Sequence, residues 1–235
     1  MKTGATTVSK TRVLAIAIAT VLGGLLLIVP ASLGTDAGKA VTCGMTVTSY
    51  VKLNQDLSCT GNGLVVGANG VTIDLNGYTL AGSGGARPFL GVIVNGWAHV
   101  TIRGGTVTQF RTGISITNSN DVMMKGLAVV GNGLVGFASS DGIRVFSSSQ
   151  VQVEKSVLAS NADDSVEIQG STGVSVSENT IRASGAGIAF TTVPSSDVSV
   201  RKNWIVENAC GIRGTTTGVT FERNVFERNG TDFCA

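Results

Sequence analysis

The chain is poor in charge, proline and histidine: 14% of its 235 residues are charged, and it holds three prolines and one histidine. So few charges beside 43% hydrophobic residues is not the composition of a disordered segment, and it is apolar enough to build a core. A net charge of +2 with scattered basic residues supplies no basic stripe to displace counterions, which argues against a nucleic-acid partner. A lone histidine and the lack of any C-x-x-C spacing leave no zinc signature. Helical periodicity is also missing after Ala40, so a parallel sheet here has no crossover helices to close it.

What is present begins with a targeting pattern. Lys2, Lys10 and Arg12 precede an uncharged apolar run from Val13 to Val29, followed by Pro30 and small residues. Residues 1–37 are expected to be a signal peptide cut after Ala31, Gly34 or Ala37, or, uncut, a single N-terminal anchor near the lower length limit for a span. The expected location is secreted, with cell-surface association if the segment stays. Residues 41–235 are expected to form one elongated domain. Its cysteines, Cys43, Cys59, Cys210 and Cys234, are even in number, and the expected pairs are Cys43 with Cys59 and Cys210 with Cys234.

Glycine is abundant, 32 residues, and it punctuates a repeat. The triplets Val71-Thr72-Ile73, Val100-Thr101-Ile102, Val122-Met123-Met124, Val151-Gln152-Val153, Val174-Ser175-Val176, Val198-Ser199-Val200 and Val219-Thr220-Phe221 recur at spacings of 29, 22, 29, 23, 24 and 21. Each is apolar at both ends, the period of a strand that buries one face. A second strand follows, as in Asn179-Thr180-Ile181, and a third opens at glycine, as in Gly142-Ile143-Arg144-Val145. Three strands per interval without helices means coils that stack about 4.8 Å apart and share one core. The asparagines Asn132, Asn161, Asn208 and Asn229, and likewise Asn179, Asn203 and Asn224, recur at fixed offsets and are read as structural ladders. A Cys210–Cys234 bond would join neighbouring coils, since 24 residues is about one turn.

This cycle resembles the right-handed parallel β-helix proteins of the pectin-lyase-like group, over roughly Val41 to Ala235. The opening Cys43-Gly44, Val47-Thr48, Asp56-Leu57 and Cys59, then Val71-Thr72-Ile73-Asp74-Leu75-Asn76-Gly77, looks like the start of small exported actinobacterial β-helix proteins, which mostly lack an assigned activity. The implied fold is all-β, a single parallel β-helix of about seven to eight coils.

A weaker local resemblance concerns chemistry. Ser140-Asp141-Gly142, Asp163-Asp164 and Gly185-Ala186-Gly187 look like the Asn-Thr-Asp, Asp-Asp and Gly-His-Gly motifs of polygalacturonase-type glycoside hydrolases, and Arg213-Gly214 like their Arg-Ile-Lys. The resemblance implies Asp164 as acid, Asp141 and Asp163 handling water across a gap of about 6.5–9.5 Å, and Arg213 for a substrate carboxylate. Spacings of 22 residues would stack Asp141 with Asp163 and Asp164 with Ala186. Ala186 replaces the family's histidine, and no lysine follows Arg213. Polar turn residues ahead of a Gly-Ile strand are also simply what turns require. A calcium ion is another use for Asp163 and Asp164, with Glu167 as a further ligand, but no cofactor is assigned. Trp204 is a candidate for stacking on sugar or for covering Val157 and Val225, the latter favoured, and Arg144 with Glu167 is expected to be a surface ion pair. The leading expectation is an exported β-helix protein that contacts polysaccharide or the cell envelope without catalysis. The alternatives are a hydrolase or lyase acting on uronic-acid polysaccharide, and a structural or adhesive surface protein.

Overall fold

The computed structural model describes residues 40–84, 88–134, 140–191 and 193–235, so the expected signal or anchor segment lies outside the described residues. The described residues fall in one compact unit. It is a parallel β-solenoid, with no α-helix among the described residues.

One face is a nine-stranded parallel sheet, whose strands run Thr46–Val47, Leu64–Val66, Leu90–Asn95, Thr112–Thr117, Ile143–Phe146, Asp164–Gln169, Ala186–Phe190, Cys210–Gly214 and Thr231–Cys234 in coil order. The other two faces belong to a fourteen-stranded sheet, joined by the bent strands Ala98–Thr108 and Asn120–Val130. The repeat triplets stack in register: Thr72, Thr101, Met123, Gln152, Ser175, Ser199 and Thr220 form one outward row, polar except at Met123. Their apolar neighbours, including Ile73, Ile102, Met124, Val153, Val176 and Val200, are fully buried in a single continuous core.

Each corner is built by one device. A residue in the left-handed region, such as Lys155, Glu178 and Lys202 at one corner or Ser160, Ala183 and Glu207 at the next, turns the chain so that the following side chain points into the bend. After His99, Asp121, Gln150 and Asp197 that inward residue is a buried valine; at the ladder corners it is asparagine or serine. Its oxygen accepts the backbone N–H of its counterpart one coil earlier: Asn132 N to Asn161 Oδ1 (3.1 Å), Asn161 N to Ser184 Oγ (3.1 Å), Ser184 N to Asn208 Oδ1 (3.1 Å) and Asn208 N to Asn229 Oδ1 (3.0 Å). A second ladder runs Ser156, Asn179, Asn203, Asn224, and a third, unforeseen from the asparagine pattern, runs Ser119, Ser148, Ser171, Ser195. A left-handed non-glycine residue costs about 1–2 kcal/mol. Each ladder hydrogen bond returns roughly 0.5–1.5 kcal/mol and, more importantly, satisfies a buried N–H that no strand reaches.

Both expected disulfides are present, Cys43–Cys59 and Cys210–Cys234. The second joins neighbouring coils beside the last strand.

Asn203 accepts from both the backbone N and Nδ2 of Asn179 at 3.0 Å and donates to the Val176 carbonyl at 2.9 Å. Asn203→Ala is therefore expected to lower the unfolding free energy by about 2–4 kcal/mol, because it strands buried polar groups on both neighbouring coils. Thr220→Ala, on an outward exposed position, is the control and is expected to change it by less than about 0.5 kcal/mol. Equal losses in urea unfolding would contradict the ladder.

Candidate functional site

The corner that leads into the nine-stranded sheet is where the repeat breaks. From Arg182 to Ile188 and from Val206 to Ile212 the chain uses six residue steps, whereas from Ala159 to Val166 it uses seven, and from Val130 to Ile143 thirteen. The single extra residue falls in the turn Ala162–Asp163. It shifts the register from the one expected: Ile143 pairs with Val166, so Asp164, not Asp163, lies beside Asp141. Asp164 does pair with Ala186, as expected. Asp163 sits one residue earlier in the bulge. Gly185 has to be glycine there, because a Cβ would come within 2.4 Å of the Asp163 carbonyl oxygen.

The structure gathers the three aspartates. One oxygen of each of Asp141, Asp163 and Asp164 lies within 4.8 Å of the others. Arg213 joins them from two coils away, with Nη2 donating to Asp164 Oδ2 at 2.7 Å and Asp163 Oδ1 at 3.1 Å. It reaches that far because the coil between carries only small side chains, the fully buried Ala186 and Ala189, under its path. Ala186, which departs from the hydrolase pattern, thus makes room for the arginine. Cys234 pairs with Arg213 on the other side, so the terminal disulfide borders the same patch.

Burial sets the electrostatics. Asp141 is 0% and Asp164 1% exposed, while Asp163 and Arg213 are only partly covered. Desolvation, with Glu167 and Asp164 adding negative charge, pushes the Asp141 carboxyl up from 3.8 to about 9. Desolvation also raises Asp164, to about 7, against the opposing pull of Arg213. Glu167 is part of this cluster and corrects the expected surface pair: it is itself buried, with Oε2 2.9 Å from Arg144 Nε and its carboxyl against Asp141. The Asp141 carboxyl is hydrogen-bonded to that of Glu167, while Asp164 Oδ1 accepts from no donor among the described residues.

A groove of about 780 Å³ opens beside the cluster. Phe190, Pro194, Ser196, Thr217 and Gly218 line it together with Arg213, which thereby faces both the acids and the groove. Sequence reasoning missed this groove, since its walls are the turns at 193–196 and 214–218, which vary from coil to coil.

Two further candidates lie elsewhere. Trp204 is on a different face, 44% exposed, with Nε1 donating to Glu227 Oε2 at 3.3 Å. It does not cover Val157 and Val225, which stay 40% and 53% exposed: Val157 is two coils away, separated by the Thr180 coil. His99 is a corner residue in the left-handed region, 2.7 Å from Asp121.

The three aspartates form a tight cluster, with one oxygen of each within 4.8 Å of the others.

The raised carboxyls carry a stability consequence. In the folded chain Asp141 holds a proton, between 3.8 and about 9, that the unfolded chain has lost. Its contribution is therefore intact at low pH and is lost as pH rises through that window; Asp164 adds the same trend between 3.8 and about 7. Asp141→Asn is expected to raise stability at neutral pH by roughly 2–5 kcal/mol and to flatten the fall of the melting midpoint between acid and mildly alkaline pH. An unchanged pH slope in the variant would contradict the assignment.

Comparison with known proteins places this geometry in context. Among solved structures, a mutant of the periplasmic alginate epimerase AlgG is similar at a TM-score of 0.54 and 14% identity, over 75% of this chain and 47% of that one. An alginate lyase from a Paenibacillus species is similar at 0.52 and 10% identity, over 80% of this chain and 94% of that one. This chain thus spans about half the length of the epimerase, and at such identities the likeness shows the fold alone. No curated protein matches the sequence. The model of the right handed beta helix region matches residues 51–226, three quarters of the chain. The chain therefore belongs to the right-handed β-helix family.

Proposed function

We propose that this is an exported β-helix protein that binds extracellular polysaccharide in the groove beside Arg213 and does not cleave it. The observation that carries the reading is the lining of that groove. Pro194 offers exposed apolar surface for the face of a sugar ring, Ser196 and Thr217 offer hydroxyls, and Arg213 brings a cation to its edge. The two disulfides fit a protein that works in an oxidising compartment. The burial of two of the acids supports binding without cleavage. Asp141 and Asp164 are enclosed, and a general acid has to reach the leaving oxygen to within hydrogen-bond distance. Similar folds among an alginate epimerase and an alginate lyase make an acidic glycan the first ligand to try.

One observation favours catalysis instead. Asp164, raised to about 7, has the proton affinity of an acid catalyst at neutral pH.

A single experiment separates the two. The mature protein is run in affinity gels containing alginate, pectate or a neutral glucan, and the same mixtures are assayed for new reducing ends and unsaturated products. The expected result is retardation by an acidic glycan, weakened about tenfold or more in Arg213→Gln, with no product. Product formed by the natural chain and lost in Asp164→Asn would establish the enzyme. The absence of both retardation and product would end both readings.

A further inference from the structure

We propose that the coil Val219–Cys234 is an interaction surface whose partner is a second copy of this chain, bound end to end across a two-fold axis. The proposal stands apart from the glycan-binding reading.

Three observations single out this coil. The first is its backbone. Val219–Glu222, Val225–Glu227 and Thr231–Cys234 are terminal in their sheets, so one edge of each strand faces no further strand of this chain. The asparagine ladders stop here as well. Asn224 and Asn229 accept from Asn203 and Asn208, and no ladder residue lies beyond to accept from their own N–H groups. Such a row of free donors and acceptors is a template for another strand.

The second is the core. Phe221, Phe226 and Phe233 stack on the buried Val200, Ile205 and Ile212. They continue the same inward rows, yet Phe233 is 52% exposed and the other two are only half-buried. They gather into one patch, with ring centroids 5.6 Å apart for Phe221 and Phe233 and 5.2 Å for Phe226 and Phe233. Aromatic side chains carry large apolar area, and an exposed patch of them beside free strand edges marks a site of association.

The third is charge, and it selects the occupant. The coil repeats Phe-Glu-Arg-Asn, at residues 221–224 and 226–229. Arg228 is held by Glu207 and Glu227. Glu222 and Arg223 are exposed and enter no ion pair among the described residues. A two-fold axis at that corner reverses the order of residues in the second copy, so Glu222 of each copy meets Arg223 of the other. An adjacent acid and base are thus complementary to themselves. Head-on contact of two coils of the same hand also runs the apposed strands antiparallel, a geometry in which edges pair well.

The opposite end of the solenoid does not compete. Its strands, Thr46–Val47, Val51–Lys52 and Leu57–Ser58, are two residues long, and Val47, Leu53 and Leu57 are buried there. Short, covered edges resist pairing, so association closes at two copies instead of extending as a stack.

The test is sedimentation equilibrium of the protein over about a hundredfold range of concentration, with no glycan present. The expected result is a mass that rises from one chain to two and goes no further. Glu222→Arg and Arg223→Glu should each weaken the dimer by about tenfold or more, since each leaves like charges facing across the axis. Neither disturbs the fold: Glu222 is exposed, and Glu178 already occupies the left-handed position of Arg223 two coils earlier. Mixing the two variants should restore a dimer of natural strength, because an acid then faces a base at both contacts. Phe233→Asp, which puts a charge into the aromatic patch, should leave only single chains. A single chain at every concentration would overturn the proposal. Mass that grows beyond two copies would overturn the two-fold closure. Charge variants that pair as tightly as the natural chain, or a mixture that pairs no better than either variant alone, would overturn this coil as the interface.

Discussion

Every coil of this chain must hydrogen-bond to the coil below it, and that constraint orders the rest of the molecule. Strands satisfy it on the three faces. At the corners, where the backbone turns away from its neighbour, it is met by an inward asparagine or serine placed directly after a left-handed residue. The ladders are therefore not accessory to the hydrophobic core. They allow a core of valine and isoleucine to close, because without them each bend would bury unpaired backbone amides.

The same constraint explains why a departure in one coil has consequences in its neighbours. One extra residue in the turn at Asp163 cannot be absorbed along the axis, so it bulges and moves Asp164 beside Asp141. The small residues Ala186 and Ala189 on the next coil leave a trough, and Arg213 from the coil after that fills it. Four coils thus contribute to one charged cluster. Its carboxyls are enclosed by the stacking that brings them together, which raises their proton affinity and separates them from any large substrate. Arg213 is their link to the groove, and the terminal disulfide fixes the last coil next to it.

The fold was legible because its signal repeats. Seven valine triplets, the glycine-led strands and the asparagine offsets each state the coil independently, and the pairing of Cys210 with Cys234 follows from the coil length. The serine ladder went unseen because serine is common in turns for other reasons, so Ser119, Ser148 and Ser171 carry little contrast. The site was only half legible. Asp141, Asp163, Asp164 and Arg213 stand out as residues the repeat does not need, and the structure brings all four together. Which acids stack was misread, because a spacing of 22 residues does not reveal where within the coil an extra residue is spent. Glu167 was taken for a surface partner of Arg144, since a strand alternation marks it as outward but does not show that it is buried. The groove depends on turns that obey no repeat, and sequence offers no handle on it.

Coil stacking encloses Asp141 among other acids, against the Glu167 carboxyl, and holds it protonated at neutral pH. The direct measurement is the carboxyl infrared difference spectrum between the natural chain and Asp141→Asn, recorded at neutral pH in metal-free buffer. A band from a neutral, protonated carboxyl that is present in the natural chain and missing from the variant is the predicted result. A carboxylate band that persists down to the ordinary titration range of aspartate would place Asp141 in solvent and contradict the account.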